Sequence, residues 1–149
     1  MKAIVNGRIV APHAVIRGKV LLYDERVIGI VDPGETPEGV ETLDAKGNYV
    51  IPGLVDMHIH GYMGEDASDG SFEGLKTMAR GVAKNGVTSF LPTTMTVSYD
   101  ELRLAFSQIR RAMEESRQDG WDGAALLDSR VSCELIADTF HVHKALFQL

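Results

Sequence analysis

The sequence predicts an α/β fold, a group of short β-strands followed by a parallel sheet with helical crossovers. Residues 2–50 carry short apolar runs separated by turn signals. From residue 53 the pattern changes to strand–helix–strand–helix, the order of a βαβα unit. The 149 residues allow a sizeable core, burying roughly 70% of the unfolded surface. They fall short of the roughly 250 residues of a complete (β/α)8 barrel.

In the first block, Ala3-Ile4-Val5 and Arg8-Ile9-Val10 flank Asn6-Gly7, the preferred dipeptide of a two-residue type I′ turn, so a hairpin is expected there. Lys19–Tyr23 and Val27–Val31 read as strands joined at Asp24-Glu25. Asp32–Glu41, rich in Pro, Gly and Glu, reads as a loop, and Asn48–Ile51 as another short strand. So small a sheet needs a partner layer.

In the second block, Gly53–His60 is a buried-strand candidate and Gly61–Gly70 a loop. Ser71 caps a helix over Phe72–Lys84, with Phe72, Leu75, Met78, Ala79, Val82 and Ala83 at helical spacing and Asn85-Gly86 as the stop. Val87–Leu91 is the next strand, closed by Pro92. Ser98-Tyr-Asp-Glu101 fits a capping box opening a helix over Tyr99–Glu115. Its apolar face is Leu102, Ala105, Phe106, Ile109, Ala112 and Met113. A polar break at Gln118–Gly123 precedes the ambiguous Ala124–Asp128, a strand candidate at Val131–Ala137 and the start of a helix at Lys144–Leu149.

The 15 basic and 21 acidic residues give a formal charge of −6, which argues against nucleic acid as the main partner. No apolar run reaches the ~20 residues of a membrane span, and no signal peptide is visible. The single cysteine, Cys133, cannot form an internal disulfide, so a reducing, cytoplasmic setting is expected. Mid-strand among apolar neighbours, Cys133 reads as a packed thiol rather than a nucleophile.

The chemistry concentrates at Asp56-Met57-His58-Ile59-His60-Gly61. Strand alternation puts Asp56, His58 and His60 on one face. Two imidazoles at i and i+2 on a rigid strand converge on one point, which suits a divalent metal. The alternative is two half-buried histidines satisfied by backbone carbonyls. In Asp138-Thr-Phe-His141-Val-His143, two histidines again share a face. They could complete a four-histidine site with His58 and His60, bind an anionic substrate, or belong to a polar loop. Leu91–Thr96 runs from a strand end into a hydroxyl-rich loop, where Thr94 and Thr96 read as turn and capping hydroxyls.

Val50-Ile-Pro-Gly-Leu-Val-Asp-Met-His-Ile-His-Gly61 resembles the first barrel strand of the amidohydrolase superfamily. Gly86–Thr94 and Ala124–His143 narrow the resemblance to N-acetylglucosamine-6-phosphate deacetylases. The resemblance implies a partial metal-dependent (β/α)8 amidohydrolase barrel, residues 51–149, preceded by short β-sandwich strands, residues 1–50. It implies that His58 and His60 bind a divalent metal, zinc or iron, and that His141 contacts an amino-sugar phosphate, the small-molecule partner. His143 falls at a more variable position. A homodimer is among the assemblies it leaves open; nucleic acid and membrane are not expected partners. The implied reaction is metal-assisted hydrolysis that removes an acetyl group from N-acetylglucosamine 6-phosphate. The alternatives are a non-catalytic metal-binding or interaction fragment, or an amidohydrolase acting on another amide.

The family's His-x-Glu-Gly-Pro segment, two later metal-binding histidines and a late acid/base Asp have no counterpart in this sequence. The sequence therefore reads as internally deleted, with the join within 120–128, and shortened at its C-terminus. The chain alone is expected to lack the full catalytic set and to be inactive.

Overall fold

The computed structural model describes residues 1–24 and 26–127. The strand at Val131–Ala137, the helix start at Lys144–Leu149, Cys133, Asp138, His141 and His143 lie outside the described residues. The described residues divide into two compact units, one of residues 1–52 and one of residues 53–127.

The first unit contains β1 (Lys2–Val5), β2 (Arg8–Ala11), β3 (Ala14–Ile16), β4 (Val20–Tyr23), β5 (Val27–Val31), β6 (Glu41–Asp44) and β7 (Tyr49–Val50). They form a four-stranded sheet of order β5-β4-β1-β6 and a three-stranded sheet of order β3-β2-β7. The expected β1–β2 hairpin does not form. β1 pairs antiparallel with β4 and parallel with β6, while β2 pairs antiparallel with β3 and parallel with β7. Residues 2–11 are thus accompanied by residues 41–50 across both sheets, and Asn6-Gly7 is the corner at which the chain changes sheet.

Hydrogen bonds hold this corner. Ala45 N–H donates to the Val5 carbonyl and Gly47 N–H to the Asn6 carbonyl, at 2.9 and 2.8 Å. The Asp44 carboxylate accepts from Lys46 N–H at 2.8 Å and from the Asn6 side-chain amide at 3.0 Å. These two bonds, the backbone one first, hold Asp44 below the ordinary carboxylate range. Asn6 takes the left-handed conformation its turn signal called for, with φ 57°. Gly7 serves a different purpose from a hairpin turn. A Cβ there would lie 2.6 Å from Val50 Cγ2, so its missing side chain is what lets β7 approach. Ala3, Val20 and Leu22 are buried together, with Val5, Val31 and Val40 packed against them.

In the second unit, β8 (Leu54–Ile59) leads into β9 (Gly61–Tyr62) and β10 (Glu65–Asp66). Then come α1 (Phe72–Ala83), β11 (Val87–Pro92), α2 (Tyr99–Glu115) and β12 (Ala125–Leu126). The three long-range strands lie in the order β12-β11-β8, and both pairings of β11 are parallel. This is the expected crossover order, and within the ambiguous stretch after Gly123 it places a third parallel strand at Ala125–Leu126. The expected loop at Gly61–Gly70 contains a small hairpin instead. Its turn residues, Met63 and Gly64, have φ of 59° and 83°, the two positive values that a type I′ turn requires. A Cβ on Gly61 would strike the Glu65 carbonyl that crosses it.

Both helices begin as their caps predict. Ser71 Oγ accepts from Gly74 N–H at 3.0 Å. Ser98 and Glu101 form the reciprocal capping box, with Ser98 N–H donating to Glu101 at 2.8 Å. These bonds to Ser98 lower the pKa of Glu101. Phe72, Leu75, Met78, Ala79 and Val82 of α1 share one core with Ile109 and Ala112 of α2, Phe90 of β11 and Leu126 of β12. Two residues depart from the expected faces: Ala83 is exposed at the end of α1, and Phe106 is 37% exposed. No helix among the described residues is long and apolar enough to cross a membrane.

Candidate functional site

Parallel pairing brings the C-terminal ends of β8 and β11 together, with Ile59 opposite Pro92. Thr93 N–H donates to the Ile59 carbonyl at 2.9 Å, carrying the ladder one step beyond the strands. His60 lies at this junction, half-buried, and His58 lies exposed beside it. Their Nε2 atoms are 3.2 Å apart, and the rings meet edge-on with planes at 86°. The two imidazoles therefore point to one place, as the sequence predicts.

The reason is less simple than alternation. The β8–β11 register slips between Phe90↔Asp56 and Pro92↔Ile59, so β8 carries an additional residue between Asp56 and Ile59. Ile59 packs against the core as a result. The slip falls within the stretch over which alternation was expected to align Asp56 with the histidines, and the convergence that the structure shows is that of His58 and His60. The Asp56 carboxylate turns back locally, accepting from His58 N–H at 3.1 Å.

His60 Nδ1 lies 2.8 Å from the Thr93 carbonyl oxygen. A carbonyl can only accept, so Nδ1 carries the proton and Nε2 presents its lone pair beside His58. The sequence offered backbone carbonyls in general as partners for these histidines; which carbonyl reaches His60, that of Thr93, is a main-chain choice that leaves no sequence signal.

The pair fits part of a divalent-metal shell. Two nitrogens held at about 2.0–2.1 Å from one tetrahedral ion sit about 3.3–3.4 Å apart, close to the 3.2 Å observed. A ring nitrogen oriented by a carbonyl behind it is also the usual arrangement of a metal-binding histidine. Among the described residues, no group of three or more His, Cys, Asp or Glu is placed to hold an ion. The fit therefore extends to these two nitrogens among the described residues. His141 and His143 lie outside them.

An open cleft of about 520 Å³ is lined by Lys76, Arg80, Trp121 and Asp122 among others, and by neither histidine. Arg80 Nε donates to Asp122 at 2.7 Å. That bond raises the pKa of Arg80 and lowers that of Asp122, so the two charges satisfy each other.

The Amidohydrolase family profile matches residues 41–126, which include β6 to β12 and both histidines. The chain belongs to the Amidohydrolase family. It is 33% identical over 122 residues to the N-acetylglucosamine-6-phosphate deacetylase of Vibrio furnissii, covering 76% of this chain and 29% of that protein. It is 32% identical over 104 residues to dihydropyrimidinase 2 of Caenorhabditis briggsae, covering 66% of this chain and 20% of that protein. Among solved structures, the N-acetylglucosamine-6-phosphate deacetylase of Pasteurella multocida superposes with a TM-score of 0.71 at 23% identity, covering 97% of this chain and 43% of that one. That likeness establishes a shared mixed α/β fold. The chain spans less than a third of the length of the two relatives compared by sequence.

Proposed function

We propose that this chain is part of a metal-dependent hydrolase that removes the acetyl group from N-acetylglucosamine 6-phosphate, with His58 and His60 as metal ligands. The observation that carries the reading is the pair of converging Nε2 atoms, one fixed in tautomer by Thr93. The deacetylase relative supports the substrate class. The parallel β8, β11 and β12, with helices between them, support consecutive strands of a (β/α)8 barrel. Residues 1–50 are then sandwich strands, residues 51–149 the barrel part, and 120–128 the junction within it.

A divalent metal, zinc or iron, would supply Lewis acidity toward the amide carbonyl when bound. The chain's own contribution is positional. His58 and His60 would hold the ion through Nε2, and the Thr93 carbonyl keeps the His60 proton on Nδ1. His141 is the proposed contact to the sugar phosphate. No carboxylate in the sequence matches the family's acid/base, so the 149-residue chain is expected to bind without turning over.

Zinc titration by calorimetry tests the reading. One zinc per chain is expected, with binding abolished in the His58→Ala/His60→Ala double variant. N-acetylglucosamine 6-phosphate should raise the melting temperature of the zinc-loaded chain, and His141→Ala should remove that rise. Unchanged zinc affinity in the double variant overturns the metal assignment. A rise produced by a cyclic amide, and none by the sugar phosphate, overturns the substrate class. Robust deacetylation would show that Asp56, Asp138 or another acid supplies the proton transfer.

A further inference from the structure

The segment between β10 and α1 makes two bonds to the histidine site from adjacent residues. Ala67 N–H donates to the His60 carbonyl at 2.7 Å. Ser68 Oγ accepts from Met95 N–H at 2.8 Å. Ala67 is buried in the core beneath the sheet, and Ser68 N–H is held by the Asp66 carboxylate at 2.7 Å, so this turn is fixed from both sides. Met95 stands two residues beyond Thr93, on the loop that carries the carbonyl facing His60. The bonds close a ring: His60 carbonyl to Ala67, Ser68 to Met95, and Thr93 carbonyl back to the His60 imidazole.

We infer that Ser68 is a positioning residue for His60. Its hydroxyl holds the Thr93–Met95 loop at the distance at which the Thr93 carbonyl keeps the proton on His60 Nδ1. The inference deepens the metal reading of the same site and takes its significance from it, but it can be tested in the metal-free protein. Thr93 itself is held by its N–H on the Ile59 carbonyl and its hydroxyl on the Leu91 carbonyl; at Met95, the far end of this stretch, the tether among the described hydrogen bonds is Ser68 Oγ. Without Ser68 Oγ, Met95 N–H must turn to water, and the peptide that carries the Thr93 carbonyl is then held from the Thr93 side alone. His60 would then share its proton between the two ring nitrogens, and a protonated Nε2 cannot bind a metal.

The experiment is ¹⁵N–¹H long-range correlation spectroscopy of the His60 ring in the metal-free 149-residue chain, followed by zinc titration. The parent is expected to show His60 as the Nδ1–H tautomer alone. Ser68→Ala should show a mixture of tautomers and zinc affinity weakened by about tenfold, the lower end of the loss seen when an outer partner of a ligand is removed. Ser68→Thr, which keeps the hydroxyl, should restore both. A pure Nδ1–H tautomer in Ser68→Ala overturns the inference, even if that variant melts earlier. Hydrogen exchange of the Met95 amide in the parent decides the matter should Ser68→Ala not fold: exchange at the rate of an unprotected amide overturns the inference, and protection upholds it. Failure of the parent to bind zinc would overturn the metal reading and leave the tautomer result to judge Ser68.

Discussion

Phe90 is the side chain on which the second unit depends most directly. It is fully buried, in the middle of β11, the central strand of three. Its register partners are Asp56 on β8 and Leu126 on β12, and it shares a core with Leu75, Met78 and Ile109. Truncating a buried phenylalanine to alanine removes its transfer free energy and leaves a cavity, together about 3–5 kcal/mol. With an m-value of about 1.5 kcal/mol/M in urea, the midpoint should fall by about 2–3 M. That is a large share of the total for a unit of this size, given about 0.05–0.15 kcal/mol per residue. Phe90→Leu provides the graded step, about 1–1.5 kcal/mol and a fall near 1 M. Trp121, the one tryptophan of the sequence, packs against the same core, so its fluorescence follows this unit. Glu114→Ala, on the exposed face of α2, should stay within about 0.5 kcal/mol of the parent. A Phe90→Ala midpoint within about 0.5 M of the parent at unchanged m would refute the placement of Phe90 at the centre of the core.

Gly7→Ala should destabilise the first unit by about 1–3 kcal/mol, because the new Cβ overpacks against Val50. The double variant Gly7→Ala/Val50→Ala should recover part of that loss, read by hydrogen exchange of the amides in residues 2–50. The Glu101 carboxyl has a folded pKa below its unfolded value, so its contribution to stability is complete above the unfolded pKa. That contribution is lost as the pH falls through the lower folded pKa. Glu101→Gln keeps a capping-box partner without titrating there, so it should flatten this part of the acid limb of a melting-temperature profile. An acid limb identical in parent and variant would show that the capping carboxylate contributes nothing to it.

The features legible in the sequence were those decided within a few residues. Ser71 and Ser98 announce helix starts because a cap acts on the amides of the next turn. The faces of α1 and α2 follow from a period of 3.6, and the pairing of His58 with His60 from a spacing of two. Other features depended on distant backbone. Asn6-Gly7 carries the strongest hairpin signal, yet β1 accepts β4 and β6 as neighbours, and the dipeptide becomes a corner between sheets. β6 is exposed at all four positions, so no apolar pattern marks it, and its place is fixed by its pairing to β1.

By itself, the sequence determined the α/β order, the helix limits and faces, the histidine pair and the resemblance to amidohydrolases. Tertiary structure alone decided which strands of the first unit pair, where β8 bulges, and which acceptor fixes His60. The division has a physical cause. Side-chain periodicity and capping are local and are written in residue types. Hydrogen-bond partners of the main chain are chosen among chemically identical groups, and only packing at long range distinguishes one carbonyl, such as that of Thr93, from another.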